Sequence, residues 1–107
     1  MSDNDENREV VRTVVIRNRL GMHARAAVKF VQAAGTFTSE IFVRKDGEEV
    51  NGKSIMGLLT LVAALGTKIE LVARGVDADR AIEAIAALVD RGFDEGVVDV
   101  GAGGAGA

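Results

Sequence analysis

Residues 67–73 alternate cleanly, with Ile69, Leu71 and Ala73 on one face and Lys68 and Glu70 on the other. A period of two with a polar second face describes a strand that needs only one side covered, as antiparallel sheets allow. The rest of the chain therefore has to build a sheet and lay its remaining elements over one face. Residues 10–17 are rich in β-branched side chains (Val10, Val11, Thr13, Val14, Val15, Ile16) and read as a strand. Residues 38–44 and 48–51 flank Lys45-Asp46-Gly47, whose Asp-Gly pair marks a hairpin turn. Between the strands lie helical patterns. Ala27, Phe30, Val31 and Ala34 recur at helical spacing over residues 23–34, with Gly35 as a C-cap. Ser54 precedes a short apolar helix at 55–61 as its N-cap. Asp77 is expected to cap a last helix carrying Ile82, Ile85, Leu88 and Val89 in one stripe, and Gly92 to stop it. The order βαββαβα predicts an α+β open-faced sandwich, a four-stranded antiparallel sheet covered on one face by three helices.

The chain has 107 residues, enough for one domain with a modest core. Residues 10–95 are expected to form it. Residues 1–9 are polar and acid-rich and are expected to be a flexible tail, as are residues 96–107, where the last seven are only Gly and Ala. The N-terminus lacks the basic start and apolar stretch of a signal peptide. The apolar run at 55–65 is broken by Gly57 and Thr60, too short to span a membrane. Cytoplasmic residence is the expectation.

Composition then narrows the chemistry. With no Cys, the chain has no disulfide scaffold, thiol nucleophile or cysteine-ligated metal. One His excludes a multi-histidine metal site within one chain. A net charge of −3 with neither Trp nor Tyr argues against nucleic-acid binding, which uses basic faces and stacking rings. No phosphate-binding loop, nucleotide fingerprint or metal-binding carboxylate cluster is present, and no cofactor is expected. The single histidine, His23, remains as the leading candidate for chemistry.

His23 stands in Leu20-Gly21-Met22-His23-Ala24-Arg25-Ala26, where a glycine-containing loop turns into a helix. Free first-turn amides and the helix dipole favour an anion there. Arg25 adds a fork of donors suited to phosphate oxygens. Imidazole is a competent nucleophile near neutral pH. These features describe a place to hold a phosphoryl group on His23. A lone histidine at a helix start is also commonly a capping or surface residue, and Arg25 a solvated charge, so the residues by themselves leave both readings open.

Gly21-Met22-His23-Ala24-Arg25, together with Asn51-Gly52-Lys53-Ser54-Ile55-Met56-Gly57, resembles the HPr phosphocarrier family of the bacterial phosphoenolpyruvate-dependent phosphotransferase system. The resemblance covers residues 10–95, with the elements in the same order. It implies that His23 accepts a phosphoryl group from phosphorylated enzyme I and passes it to enzyme IIA components. Arg25 would stabilise the phosphoryl group, and the family's acceptor atom is Nδ1. The chain would be a phosphoryl-transfer intermediate rather than an independently turning-over enzyme. One departure stands inside the pattern: many members carry Pro after the Arg, and here it is Ala26. Alanine leaves the helix start less fixed than proline, so altered rates are expected and not a changed identity.

The resemblance also implies a regulatory phosphosite at Ser54, the substrate of HPr kinase/phosphorylase in many bacteria. A phosphate at a helix N-terminus meets a favourable dipole, so it need not unfold the helix; it would weaken docking of acidic partners instead. Met22, Ile55, Met56 and Leu59 are expected to form an apolar docking patch for enzyme I and enzyme IIA, with Leu58 and Leu61 in the core. A monomer is expected. Two other readings remain. Leu20-Gly21-Met22-His23 and Gly92-Phe93-Asp94-Glu95 are also similar to the nitrogen-related paralogues, whose relay serves regulation rather than sugar uptake. A non-catalytic α+β module binding a protein or small ligand would leave His23 idle and predicts no phosphate acceptance.

Overall fold

The computed structural model of the chain describes residues 8–99, so most of the expected N-terminal tail and the Gly/Ala run lie outside the described residues. Strands β1 (Glu9–Val15), β2 (Glu40–Lys45), β3 (Glu48–Asn51) and β4 (Lys68–Arg74) form one sheet. Their order is β1-β4-β2-β3 and every neighbouring pair is antiparallel. Helices α1 (Ala24–Ala34), α2 (Ile55–Thr60) and α3 (Ala78–Asp90) complete the open-faced α+β sandwich that the pattern predicts.

The alternation in β4 works as expected. Ile69, Leu71 and Ala73 are buried in the core, and register places Ile41 beside Ala73, Val43 beside Leu71 and Val14 beside Ile69. Phe30 of α1 and Ile82, Ile85 and Val89 of α3 pack over that face. Each such side chain contributes about 1.5–3 kcal/mol on burial. The opposite face is not wholly polar. Val72 is fully buried there, its register neighbours being Val11 and Phe42, and the Arg74 guanidinium lies 5.0 Å from the centre of the Phe42 ring. The hairpin turns as its Asp-Gly pair dictates, with φ of 52° at Asp46 and 85° at Gly47.

Some boundaries and roles differ from expectation. Glu9, expected in the tail, is the first residue of β1 and pairs with Arg74. Beyond residue 95, the N–H of Val98 donates to the Arg17 carbonyl at 2.8 Å, so the ordered chain runs past the expected edge. Gly35 is the C-cap of α1 but stays right-handed, with φ of −68°.

The larger correction concerns Asp77. It precedes α3 but makes no side-chain cap; its carboxylate instead accepts from the N–H groups of Thr38 and Ser39, each at 2.9 Å, and from both hydroxyls. Those amides are thereby withdrawn from a ladder, and β2 begins at Glu40 rather than at residue 38. Burial pushes the Asp77 carboxyl up, but the Ser39 and Thr38 donors outweigh it and lower the pKa to about 2.

Gly92 does stop α3, and the chain beyond it takes an unusual path. Gly92, Phe93 and Asp94 have φ of 68°, 55° and 64°, a short left-handed turn in which two of the three residues carry a Cβ. Complete burial of Phe93 offsets that strain, and Lys29 Nζ donates to the Phe93 carbonyl at 2.8 Å. The turn delivers Glu95 to the start of α1. Among the described residues, no helix is long and apolar enough to cross a membrane.

Candidate functional site

Gly21 shapes the approach to His23. Its φ is +70°, and an added Cβ would lie 2.5 Å from the Ala63 carbonyl oxygen. That close pass lets the Met22 N–H donate to Ala63 at 2.8 Å, and it turns the Met22 side chain into the core, where it is 6% exposed. Met22, expected on the docking patch, is therefore a packing residue; a loop clamped so closely to residues 63–64 leaves it no surface.

His23 is the N-cap of α1. Its Nδ1 accepts from the Arg25 N–H at 3.2 Å, and its Nε2 lies 2.5 Å from Glu95 Oε2. Burial pushes the Glu95 carboxyl up, but hydrogen bonds from Asn18 and His23, with the nearby charges of His23 and Lys29, hold it below the ordinary carboxylate range. At neutral pH Glu95 is thus an acceptor only. This assigns the tautomer: Nε2 carries the proton and the Nδ1 lone pair points at the helix start. Both side chains stay partly open, at 27% and 21% exposure.

Arg25, the second residue of α1, is exposed and shares with His23 a cleft of about 480 Å³, walled by Arg19, Leu20, Glu95, Val97 and Val98. The imidazole, one guanidinium and the free amides of the first turn can together hold an anion on Nδ1. Among the described residues, no group of three or more His, Asp or Glu could hold a metal.

Ser54 caps α2 as expected, its Oγ accepting from the Gly57 N–H at 3.0 Å. Ile55, Met56 and Leu59 are exposed, Met56 at 75%, while Leu58 and Leu61 are buried. α2 packs against α1, the helix that His23 caps.

Sequence reasoning misses two members of the site. Glu95 is 72 positions from His23, and Asn18 reads in the sequence only as a strand breaker. Neither has a periodic signal; the available hint is a conspicuous Gly-Phe-Asp-Glu run directly after a helix.

The geometry agrees with what is similar to this chain. Residues 10–91 match the family model described as "PTS HPr component phosphorylation site". The chain is 50% identical over 84 residues to "Phosphocarrier protein HPr" of Neisseria meningitidis, covering 78% of this chain and 94% of that one. It is 45% identical over 84 residues to "Phosphocarrier protein NPr" of Shewanella violacea, covering 78% and 92%. The solved structure of HPr-C-His from Thermoanaerobacter tengcongensis superposes with a TM-score of 0.77 at 43% identity, covering 84% of this chain and 99% of that one. On sequence and fold together, the chain belongs to the HPr family of phosphotransferase-system phosphocarrier proteins.

Proposed function

We propose that the protein is a cytoplasmic phosphocarrier that takes a phosphoryl group onto His23 from phosphorylated enzyme I and hands it to enzyme IIA components in the service of sugar uptake. The observation that carries this reading is the pair of contacts on the ring: Glu95 on Nε2, and the helix start on Nδ1. The Nδ1 lone pair attacks phosphorus as the donor's bond to phosphorus breaks, and that electron pair leaves with the donor. The ring keeps its Nε2 proton and becomes cationic, a charge that the Glu95 carboxylate faces directly. The Arg25 amide, released from Nδ1, turns to a phosphoryl oxygen, and the Arg25 guanidinium takes others. Passing the group on reverses these steps, returning the electron pair to Nδ1. Positioning and charge stabilisation suffice for such a transfer.

In the same reading, Ile55, Met56 and Leu59 dock both partners, and a flexible Met suits a surface that serves more than one. Ser54 is the site at which an HPr kinase/phosphorylase would tune docking. A nitrogen-branch regulatory role is the second reading, favoured by the match to the NPr relative. It would use the same His23 chemistry with different partners.

Incubation with phosphoenolpyruvate and cognate enzyme I should add one acid-labile phosphate, lost in His23→Ala. No mass gain with a competent enzyme I would overturn the carrier reading. An enzyme IIA of the sugar branch should discharge the phosphorylated chain faster than one of the nitrogen branch; the reverse order would move the protein to the second reading.

A further inference from the structure

We propose that Asn18 is a positioning residue for phosphoryl transfer, fixing Glu95 and, through it, the His23 ring; the proposal rests on His23 being the acceptor. Asn18 is fully buried three residues beyond the end of β1. Its Nδ2 donates to the Gly21 carbonyl at 2.7 Å and to Glu95 Oε1 at 3.0 Å. Both partners are acceptors only, which settles the orientation of the amide. The second Glu95 oxygen holds His23 Nε2, and the His23 backbone N–H returns to the same Gly21 carbonyl at 2.9 Å. The result is a closed circuit of four hydrogen bonds through Gly21, Asn18, Glu95 and His23.

The chemistry of this position is selective. Two N–H donors must leave one short side chain in different directions, toward the loop before His23 and toward the segment after α3. Asp offers no donor in its ionised form and Ser offers one; a primary amide offers two. The circuit engages each Glu95 oxygen with a different donor, so the carboxylate cannot rotate without breaking one of them. Meanwhile Asn18 Oδ1 is buried with no hydrogen-bond partner among the described residues. An unpaired buried acceptor costs stability, and an apolar side chain of similar volume would avoid that cost. The amide therefore makes poor sense as packing and good sense as an orienting group.

The test separates orientation from folding. In the ¹⁵N spectrum of histidine-labelled protein above the imidazole titration, the wild-type His23 should be the Nε2–H tautomer. Asn18→Leu, which refills the volume, should give a mixture of tautomers, and Glu95→Gln should favour Nδ1–H, because its amide can donate to Nε2. Asn18→Leu should also slow phosphoryl exchange with enzyme I about tenfold, but less than about twofold in a Glu95→Ala background. Asn18→Ala serves if Asn18→Leu does not fold, and Glu95→Ala breaks the circuit from the more exposed side.

An unchanged tautomer in the Asn18 variant, or a rate loss that persists in full without Glu95, would overturn the positioning role and leave the acceptor reading standing. A shifted tautomer in a protein whose wild type takes no phosphate would overturn the acceptor reading, and with it any positioning role in transfer.

Discussion

At the start of α3 the Asp77 carboxylate is closed on every side: two backbone N–H groups and two hydroxyls point at it, and the residue is 8% exposed. At the start of α1 the His23 ring has one contact per nitrogen, one of them a 3.2 Å bond to its own helix, and it opens onto a cleft. Both residues stand immediately before a helix, and both are hydrogen-bonded. The difference lies in saturation. A group whose acceptor capacity is filled by short-range donors holds two segments together and has nothing to give up. A group held firmly on one atom and weakly on the other can exchange its weak partner for a ligand. Asp77 commits its polarity to the fold, and His23, in the proposed function, keeps its own for chemistry.

That contrast yields a double dissociation. Asp77→Ala strands four donors and should cost about 3 kcal/mol of stability in urea unfolding, with phosphate acceptance by the folded fraction unchanged. A loss of acceptance at unchanged stability would reverse the assignment. Arg25→Glu should do the opposite. It leaves the fold and Tm intact, since acidic residues are tolerated in a first helical turn, but slows phosphoryl exchange on the order of a hundredfold. Wild-type exchange rates in that variant would remove Arg25 from the mechanism.

A smaller effect separates the two sites by pH. Because the folded pKa of Asp77 lies near 2, below the ordinary carboxylate value, the unfolded chain binds more protons between about pH 2 and pH 4. The stabilisation is present in full above that window and is lost as pH falls through 2. Ser39→Ala, which removes one of the two hydroxyl donors, should cost about 1–2 kcal/mol at neutral pH and flatten the acid limb of the unfolding curve. An unchanged acid limb would show that Asp77 is not the group responsible.

The parts of the molecule legible in the sequence are those set by local pattern. Alternation in β4, β-branched residues in β1, Asp46-Gly47 and the apolar stripe on α3 each report a periodicity or a turn preference within a few residues. The features that escape depend on where chain-distant segments meet. Asp77 looks like a helix cap because Asp often is one; only the folded chain shows Thr38 and Ser39 arriving with better geometry. Met22 looks like a docking residue until Gly21, at φ +70°, sets the loop against residues 63–64 and turns Met22 inward. Glu95 becomes part of the site through a left-handed turn that local preference does not foretell, since Phe93, at its centre, adopts it against its own tendency. His23 and Arg25 are legible because they lie two residues apart at one helix start; their carboxylate and amide partners are not.

The carrier role turns on which atom of which residue bears the phosphoryl group. Long-range ¹H–¹⁵N NMR on the phosphorylated, histidine-labelled protein reads this directly, because phosphorylation shifts the substituted nitrogen and leaves the proton on the other. The phosphoryl group should be on Nδ1 of His23, with Nε2 still protonated against Glu95. A phosphoryl group on Nε2, or an unmodified His23 in a chain that has gained phosphate, would contradict it.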